Sequence, residues 1–556
     1  MSTLKSTRAT LAACVVGAFA LAPAATAADI VIVQGEGFDD PTPVEPIGGN
    51  PGTTLGEQRL IAFELAASLW GAILESDVEI VVSATFTSLN CDPGSAVLGN
   101  AAPSTVEADF PNAPVADTWY FSALANALAG VDLNPGEVDI IINMNGDIDN
   151  NPDCLINSNW YYGLDNNATG NDSDIVNVVM HELAHGLGSA SVLNAADGTL
   201  PADRPDIYTR FAFDTDLQLF YSDMTDEQRA GSVVNTGNVV WDGPAVNALA
   251  AEFLQPALIG ELEPAALGSI MLSQAFYGPA VSRDGLFGTV VLVDDGTDTF
   301  TDGCQPYTAE SAAAVNGNIA LIDRGGCAFT TKSVNAQAAG ARAAIVANNV
   351  SPGLPPLGGV DDSLVIPTTG ISLEDRETIA AALPGVTINL NFDPTQLAGA
   401  NEDLLVRLFV PEELRVGSTF SHWDTTANPN LLMEPSFTTT LETLVSVDLS
   451  APLFADIGWS LVDIDNDFVP DINDNCTVVA NGSQRDTDHD GFGNICDADL
   501  NNDGIVNVVD LGLLRTRFFS TDEDADFNDD GVVNVDDLGI LRAAFFGTPG
   551  PSGVSF

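Results

Sequence analysis

Along GEQRLIAFELAASLWGAI, residues 56–73, apolar positions recur every three or four residues, which predicts a helix with one buried face. VEIVVSATF (78–86) and VDIIINMN (138–145) carry short apolar, β-branched runs and predict strands. A second helix is predicted over DSDIVNVVMHELAHGLG (172–188), with Ile175, Val178 and Val179 on its apolar face and Ser173 or a flanking Asp as its cap. Further on, IALIDR (319–324), a Gly-Gly step, an Ala-rich helical stretch and AAIVANN (343–349) give a βαβ rhythm. Two amphipathic segments near the end, LGLLRTRFF (511–519) and LGILRAAFF (538–546), are near copies of each other.

The chain has 556 residues, too many for one core, so several domains are expected. It opens with Lys5 and Arg8, the apolar run LAACVVGAFALA and the small-residue sequence ATA at 25–27. That order predicts a secretory signal peptide over residues 1–27, because the run is too short to span a bilayer; a membrane anchor is the plainer alternative. No later stretch is long and uncharged enough to span, so the mature protein is expected to be exported, without a membrane span. Cys14 leaves with the leader. The six remaining cysteines fall into neighbouring pairs, and disulfides are expected between Cys91 and Cys154, Cys304 and Cys327, and Cys476 and Cys496.

The net charge of −61 excludes a nucleic-acid binder that works through a basic surface. Residues 461–556 alone hold 20 Asp/Glu against 4 Arg. The rest of the excess is expected to keep an exported protein solvated, and a high-salt habitat would explain it equally well.

His181, Glu182 and His185 form H-E-x-x-H, which Gly188 extends to H-E-x-x-H-x-x-G. One helical turn separates the two histidines, so both imidazoles project from one side and can hold one zinc ion. Glu182 is then placed as general base, taking a proton from water at the zinc as that water attacks a peptide carbonyl. The plainer alternative is an ordinary buried helix.

Catalytic zinc takes three protein ligands, and in the compact form of this motif the third is a histidine at the position that Ser191 fills here. Only four histidines exist, and His489 lies in an Asp-rich repeat, which leaves His422 as the candidate; Glu227 or Glu252 would compete as a carboxylate ligand. Met433 follows eleven residues after His422, in a Pro- and Asn-rich turn. Together these residues resemble a metzincin with a distant third histidine, similar to the leishmanolysin arrangement. The resemblance implies an α+β catalytic domain, Met433 packed beneath the zinc as a Met-turn, and a closing helix in VSVDLSAPLFADIGW (446–459).

The 236 residues between His185 and His422 are expected to hold an insertion. GNIALIDRGGCAFTTKSVNAQAAGARAAIVANN (317–349) and IPTTGISLEDRETIAAAL (366–383) resemble the protease-associated (PA) domain, an α/β module placed here at 284–395. Its expected role is a lid or docking surface, with a passive spacer as the alternative.

In the acidic tail, DIDNDFVPDINDNC (463–476) and DTDHDGFGNICD (486–497) alternate carboxylates as calcium requires. They resemble a thrombospondin type 3 repeat, with Phe468 in place of the usual Gly, and imply calcium ligands at Asp463, Asp465, Asp467, Asp471, Asp474, Asp486, Asp488 and Asp490. DLNNDGIVNVVD (499–510) and DFNDDGVVNVDD (526–537) resemble dockerin type I loops. The implied ligands are Asp499, Asn501, Asp503, the Ile505 carbonyl, Asn507 and Asp510, then Asp526, Asn528, Asp530, the Val532 carbonyl, Asn534 and Asp537. Phe518, Phe519, Phe545 and Phe546 are expected to pack across the duplicated pair. Val508–Val509 and Val535–Asp536 replace the small hydroxyl pair that such modules use toward cohesins, so self-contained surface attachment stands beside a cohesin-like partner.

The expected architecture is therefore a multidomain one. A metalloprotease part at 28–283 and 396–460 is split by the PA insertion, and is followed by a thrombospondin-type unit at 461–498 and dockerin-type repeats at 499–556. The expected function is a secreted bacterial zinc endopeptidase acting on proteins or peptides, extracellular or associated with the cell surface, with calcium in its tail. The rivals are a non-catalytic, calcium-dependent adhesion scaffold and a metallohydrolase of another bond.

Overall fold

The computed structural model describes residues 27–554 apart from 157, 170–171, 276, 284, 351–352, 356, 360, 362, 437–440, 442 and 445. The leader expected at 1–27 lies, but for Ala27, outside the described residues.

The first helix, Leu55–Ile73, starts on a capping box in which Thr54 and Glu57 satisfy each other's backbone groups. It packs Phe63 and Trp70 inward. A four-stranded sheet lies beside it in the order Ile30–Gln34, Ile80–Thr87, Ile140–Asn145, Gly99–Pro103. The first three strands run parallel and Gly99–Pro103 is antiparallel, at the sheet edge. The second helix, Ile175–Leu187, is capped by Asp174, whose carboxylate accepts from the Val176 and Asn177 N–H groups.

Every residue of Ile175–Leu187 is buried. Two indoles pin it from either side: Trp70 Nε1 donates to the Met180 carbonyl and Trp459 Nε1 to that of Leu187, both at 2.9 Å. The helix ends at Gly188, whose φ of +130° an L side chain rarely adopts. A Cβ there would also meet the Ile457 side chain at 2.7 Å.

One apolar core joins residues from Ala28 to Leu254 with residues from Leu397 to Trp459. The chain between them forms a mixed eight-stranded sheet with its own apolar clusters. That sheet takes in Pro256–Glu263, Ser269–Met271 and Ser273–Gln274, so it starts upstream of residue 284, the boundary expected from sequence. Its stalk is an antiparallel pair, Pro256–Glu263 against Thr387–Leu397, which brings entry and exit side by side. Alternation on strands this far apart in sequence gives no local sign that they pair.

Beyond the stalk the chain is stitched back strand by strand. Trp241 N–H donates to Val406 O, Leu408 N–H to Val239 O, Phe409 N–H to His422 O and Trp423 N–H to Met433 O, all at 2.8–2.9 Å. The helix at 446–459 is shorter than expected, Ser450–Ile457. Disulfides join Cys91 to Cys154, Cys304 to Cys327 and Cys476 to Cys496.

The tail has a small core of Ala498, Val506, Leu514, Ala525, Phe527, Val533 and Leu541 beneath helices Val508–Arg517 and Val535–Ala544. Phe518 and Phe545 pack against it. Phe519 and Phe546 do not: each turns outward at a positive φ and is exposed, because the chain reverses there to pair with the other repeat.

Candidate metal centre

His181 and His185 leave the same side of their helix with ring centroids 4.7 Å apart. His422 comes from the far side of the insertion, and its Nε2 stands 3.2 Å from Nε2 of each. The outer nitrogens all face backbone carbonyls: Nδ1 of His181 faces Leu432 O at 2.7 Å, that of His185 Ser189 O at 2.8 Å, and that of His422 Ser418 O at 2.7 Å. A carbonyl only accepts, so each Nδ1 carries the proton and each Nε2 turns a lone pair inward. Burial pushes the imidazoles down, His181 to about 3 and His185 to about 4, and His422 well below its ordinary value, so no imidazolium relieves the repulsion.

Three inward lone pairs call for a cation. Tetrahedral zinc with nitrogen ligands at about 2.05 Å holds them roughly 3.3 Å apart. The observed 3.2 Å and the all-imidazole donor set both fit zinc.

Glu182 lies beside this cluster, 4 % exposed, and burial pushes its carboxyl up to about 8. Its Oε2 meets no hydrogen-bond partner among the described residues. Gly99 passes directly over it, and a Cβ there would sit 2.7 Å from Glu182 Oε1. Nothing local marks Gly99, since GNAAP has poor strand propensity.

Ser191, where the compact motif has its third histidine, has another task. Its Oγ donates to the buried Asp206 at 2.7 Å, and its N–H donates to Ser421 Oγ at 3.3 Å, beside His422. Tyr208 OH donates to Phe420 O at 3.0 Å on the same loop. Asp206 and Tyr208 were missed because nothing local marks them. Met433 is buried in the turn whose Leu432 carbonyl orients His181, and the Leu432 N–H is held by the Asp448 carboxylate. Glu227 and Glu252 are exposed on helices Asp226–Ser232 and Pro244–Phe253, outside the cleft, so neither carboxylate reaches the histidines.

The cluster sits at the floor of an open cleft of about 1500 Å³. One wall is Ser88–Ala101 with the edge strand; the other is built from Ala190–Ala196 and Leu414–His422.

In the tail, Asp463, Asp465 and Asp467 gather their carboxylates within 4.8 Å, as do Asp486, Asp488 and Asp490. Both loops share one backbone plan: Asp463 accepts from the Asn466 and Phe468 N–H groups, and Asp486 from those of His489 and Gly491. Phe468 takes a φ of +71° where its counterpart is Gly491 at +90°. Asp471 accepts from Ile464 N–H. Among the described residues, Asp474 turns one buried oxygen to no partner, as Asp465 does both of its own. Orphaned anionic acceptors of this kind fit a hard cation.

The later loops match each other as well. Asp499 takes the Gly504 N–H and Asp526 the Gly531 N–H, while Asp510 and Asp537 take those of Asn507 and Asn534. The side chains of Asn507 and Asn534 cap the following helices, by accepting from Val509 and Asp536, and donate to the Ile505 and Val532 carbonyls. Asn501 donates to Asp503 and Asn528 to Asp530. His489 is exposed, away from the triad.

Residues 286–379 match the PA domain family. A stretch of 92 residues is 41% identical to a probable leucine aminopeptidase 2 of Aspergillus fumigatus, covering 16% of this chain and 18% of that protein. The chain spans less than a fifth of the length of the curated relatives it matches. Among solved structures, the zinc aminopeptidase BSAP of Bacillus subtilis overlaps 26% of this chain and 36% of its own, at 25% identity and a TM-score of 0.19. A type II cohesin-dockerin structure from Bacteroides cellolosolvens overlaps 9% of this chain and 85% of its own, at 45% identity and a TM-score of 0.09. Among the described residues no helix is long and apolar enough to cross a membrane.

Proposed function

We propose that this chain is an exported zinc-dependent endopeptidase of metzincin type, carrying a PA insertion and calcium-binding C-terminal repeats. The observation that carries the reading is the meeting of His181, His185 and His422, each with Nε2 unprotonated and inward, beside the buried Glu182. These three would hold the metal. Zinc there supplies Lewis-acid polarisation of a carbonyl and acidification of water.

The chain's own residues do the rest. Glu182 takes a proton at its carboxylate from the attacking water and returns it to the leaving amine. Among the described residues the strand Gly99–Pro103 is paired on one side only, with Ile140–Asn145, and offers its other edge to an extended peptide. Leu432, Ser189 and Ser418 carbonyls keep the imidazoles in the required tautomer. Met433 is assigned the packing role of a Met-turn.

A second reading, aminopeptidase, is favoured by the relatives named above. Its drawback is in the cleft: an α-amino group needs a carboxylate, and among the described lining residues Glu182 is the only one. Internally quenched peptides with free and with acetylated N-termini separate the two. An endopeptidase cleaves both; an aminopeptidase loses the acetylated set. The adhesion-scaffold reading predicts cleavage of neither.

Calcium is assigned to the two carboxylate clusters and the two later loops, stabilising the tail for surface attachment or for a cohesin-like partner. The leader expected at residues 1–27 and the three disulfides support the export reading.

A further inference from the structure

The chain carries 78 Asp/Glu against 17 Lys/Arg, so a cleft of random composition would be lined with carboxylates. It is not. Apart from the three histidines and Glu182, the only charged side chain among the described lining residues is Arg415. The remaining walls are Ser, Thr, Asn, Gly, Pro and aliphatic side chains. At physiological salt, charges more than about 8 Å away are largely screened, so this local charge outweighs the distant acidic surface for a bound peptide.

Arg415 is held in fixed register with the metal site. Its N–H donates to Thr419 Oγ1 at 2.8 Å, and its carbonyl accepts from the Ser418 and Thr419 N–H groups at 3.0 and 2.9 Å. The Ser418 carbonyl in turn accepts from His422 Nδ1. One short turn therefore orients the third histidine and presents a guanidinium to the cleft.

That guanidinium has no hydrogen bond or ion pair among the described residues, although Glu412 and Glu413 precede it closely. A second arginine, Arg324 of the PA segment, is bonded through Nη1 to Asn348 Oδ1 and, among the described residues, to no carboxylate. Burial first, and then the Arg415 charge, lower its pKa. An unpaired guanidinium that is the one cationic side chain among the described lining residues, in a strongly acidic protein, points to an anionic ligand in the cleft.

We propose that Arg415 is a specificity-determining residue that binds a carboxylate of the peptide substrate, so that the cleft selects peptides acidic at one fixed distance from the cut bond. The proposal rests on the peptidase reading and narrows its substrate class. The carboxylate could be an Asp/Glu side chain or the peptide's C-terminus, and the test separates them.

The test uses the full zinc-loaded chain and quenched peptides in which Glu or Gln is moved through the positions flanking the cut, each with a free or an amidated C-terminus. Arg415 is exposed, so solvent screens part of its attraction for a carboxylate, and kcat/KM should favour one carboxylate over its amide by roughly 2–10-fold. Arg415→Gln should bring that ratio close to one, and Arg415→Lys should keep part of it. A Glu-over-Gln preference identifies a side chain; a preference for the free over the amidated terminus identifies the C-terminus. Equal cleavage of every carboxylate and amide pair by the wild type, or a preference that survives Arg415→Gln, overturns the inference and leaves the peptidase reading standing. No cleavage of any peptide overturns the peptidase reading and the inference with it.

Discussion

His422 Nε2 lies 3.2 Å from His181 Nε2, across 241 residues of chain. Nothing local brings them together. The PA stalk pairs its entry and exit strands, the returning chain zips onto Val239–Trp241, and His422 is carried in with it. With both Nδ1 atoms donating to carbonyls, the pair is repulsive until a cation lies between.

His422→Ala should therefore lose tight zinc binding and peptide cleavage together. Glu227→Ala and Glu252→Ala, on exposed helices, should keep both. Metal analysis after dialysis checks this; a glutamate variant that loses zinc while His422→Ala keeps it would contradict the assignment.

Gly99→Ala should keep zinc and lose activity. A Cβ at 99 would press within 2.7 Å of Glu182 Oε1 and 3.0 Å of its Cγ and Cδ. Displacing a catalytic carboxylate by about 1 Å costs on the order of 10²-fold. Unaltered kcat in a folded, metal-loaded variant would show that Glu182 has room to spare.

Asp174 gives a pH signature. Burial raises its carboxyl to about 6 despite two N–H donors, so the folded state holds that proton more tightly than the unfolded chain does. The sign follows: stability falls as pH rises from about 4 to about 6, and the penalty is complete above that, on the order of 3 kcal/mol. Asn keeps the capping oxygen and has no charge to bury. The melting temperature of Asp174→Asn minus that of wild type should grow from pH 4 to pH 6 and then level off. A difference constant with pH would exclude ionisation of Asp174 as the cause.

How much of this was legible in the sequence varied with the range of the interactions involved. The helix Ile175–Leu187 and the strands Ile80–Thr87 and Ile140–Asn145 show their periodicity within a dozen residues, and His181 and His185 come with the helix. His422 could be named only because the chain is so poor in histidine. Gly99, Asp206 and Arg415 could not be named at all. A glycine packed against a carboxylate, a buried Asp bracing a loop and a lone cation among uncharged cleft walls are defined by what the fold places around them. The exposure of Phe519 and Phe546 is of the same kind, since a Phe-Phe step reads as core until the backbone turns.

The tail should depend on calcium. Chelator added to the full chain should speed proteolysis C-terminal to about residue 461 and lower a separate unfolding transition. Calcium should reverse both, and magnesium should do so poorly because it favours a tighter octahedral shell. Asp499→Ala and Asp526→Ala should each raise the calcium needed, since each carboxylate ties its loop's glycine N–H at the point of closure. Identical protease resistance with and without chelator would remove calcium from the account.

The central claim is that His181, His185 and His422 hold zinc and that Glu182 does the proton transfer beside it. The most direct test pairs zinc content with casein cleavage in the wild type and in Glu182→Gln. The account predicts about one zinc per chain in both, with cleavage reduced on the order of 10²–10⁴-fold in the variant. Wild-type cleavage by zinc-loaded Glu182→Gln would contradict it.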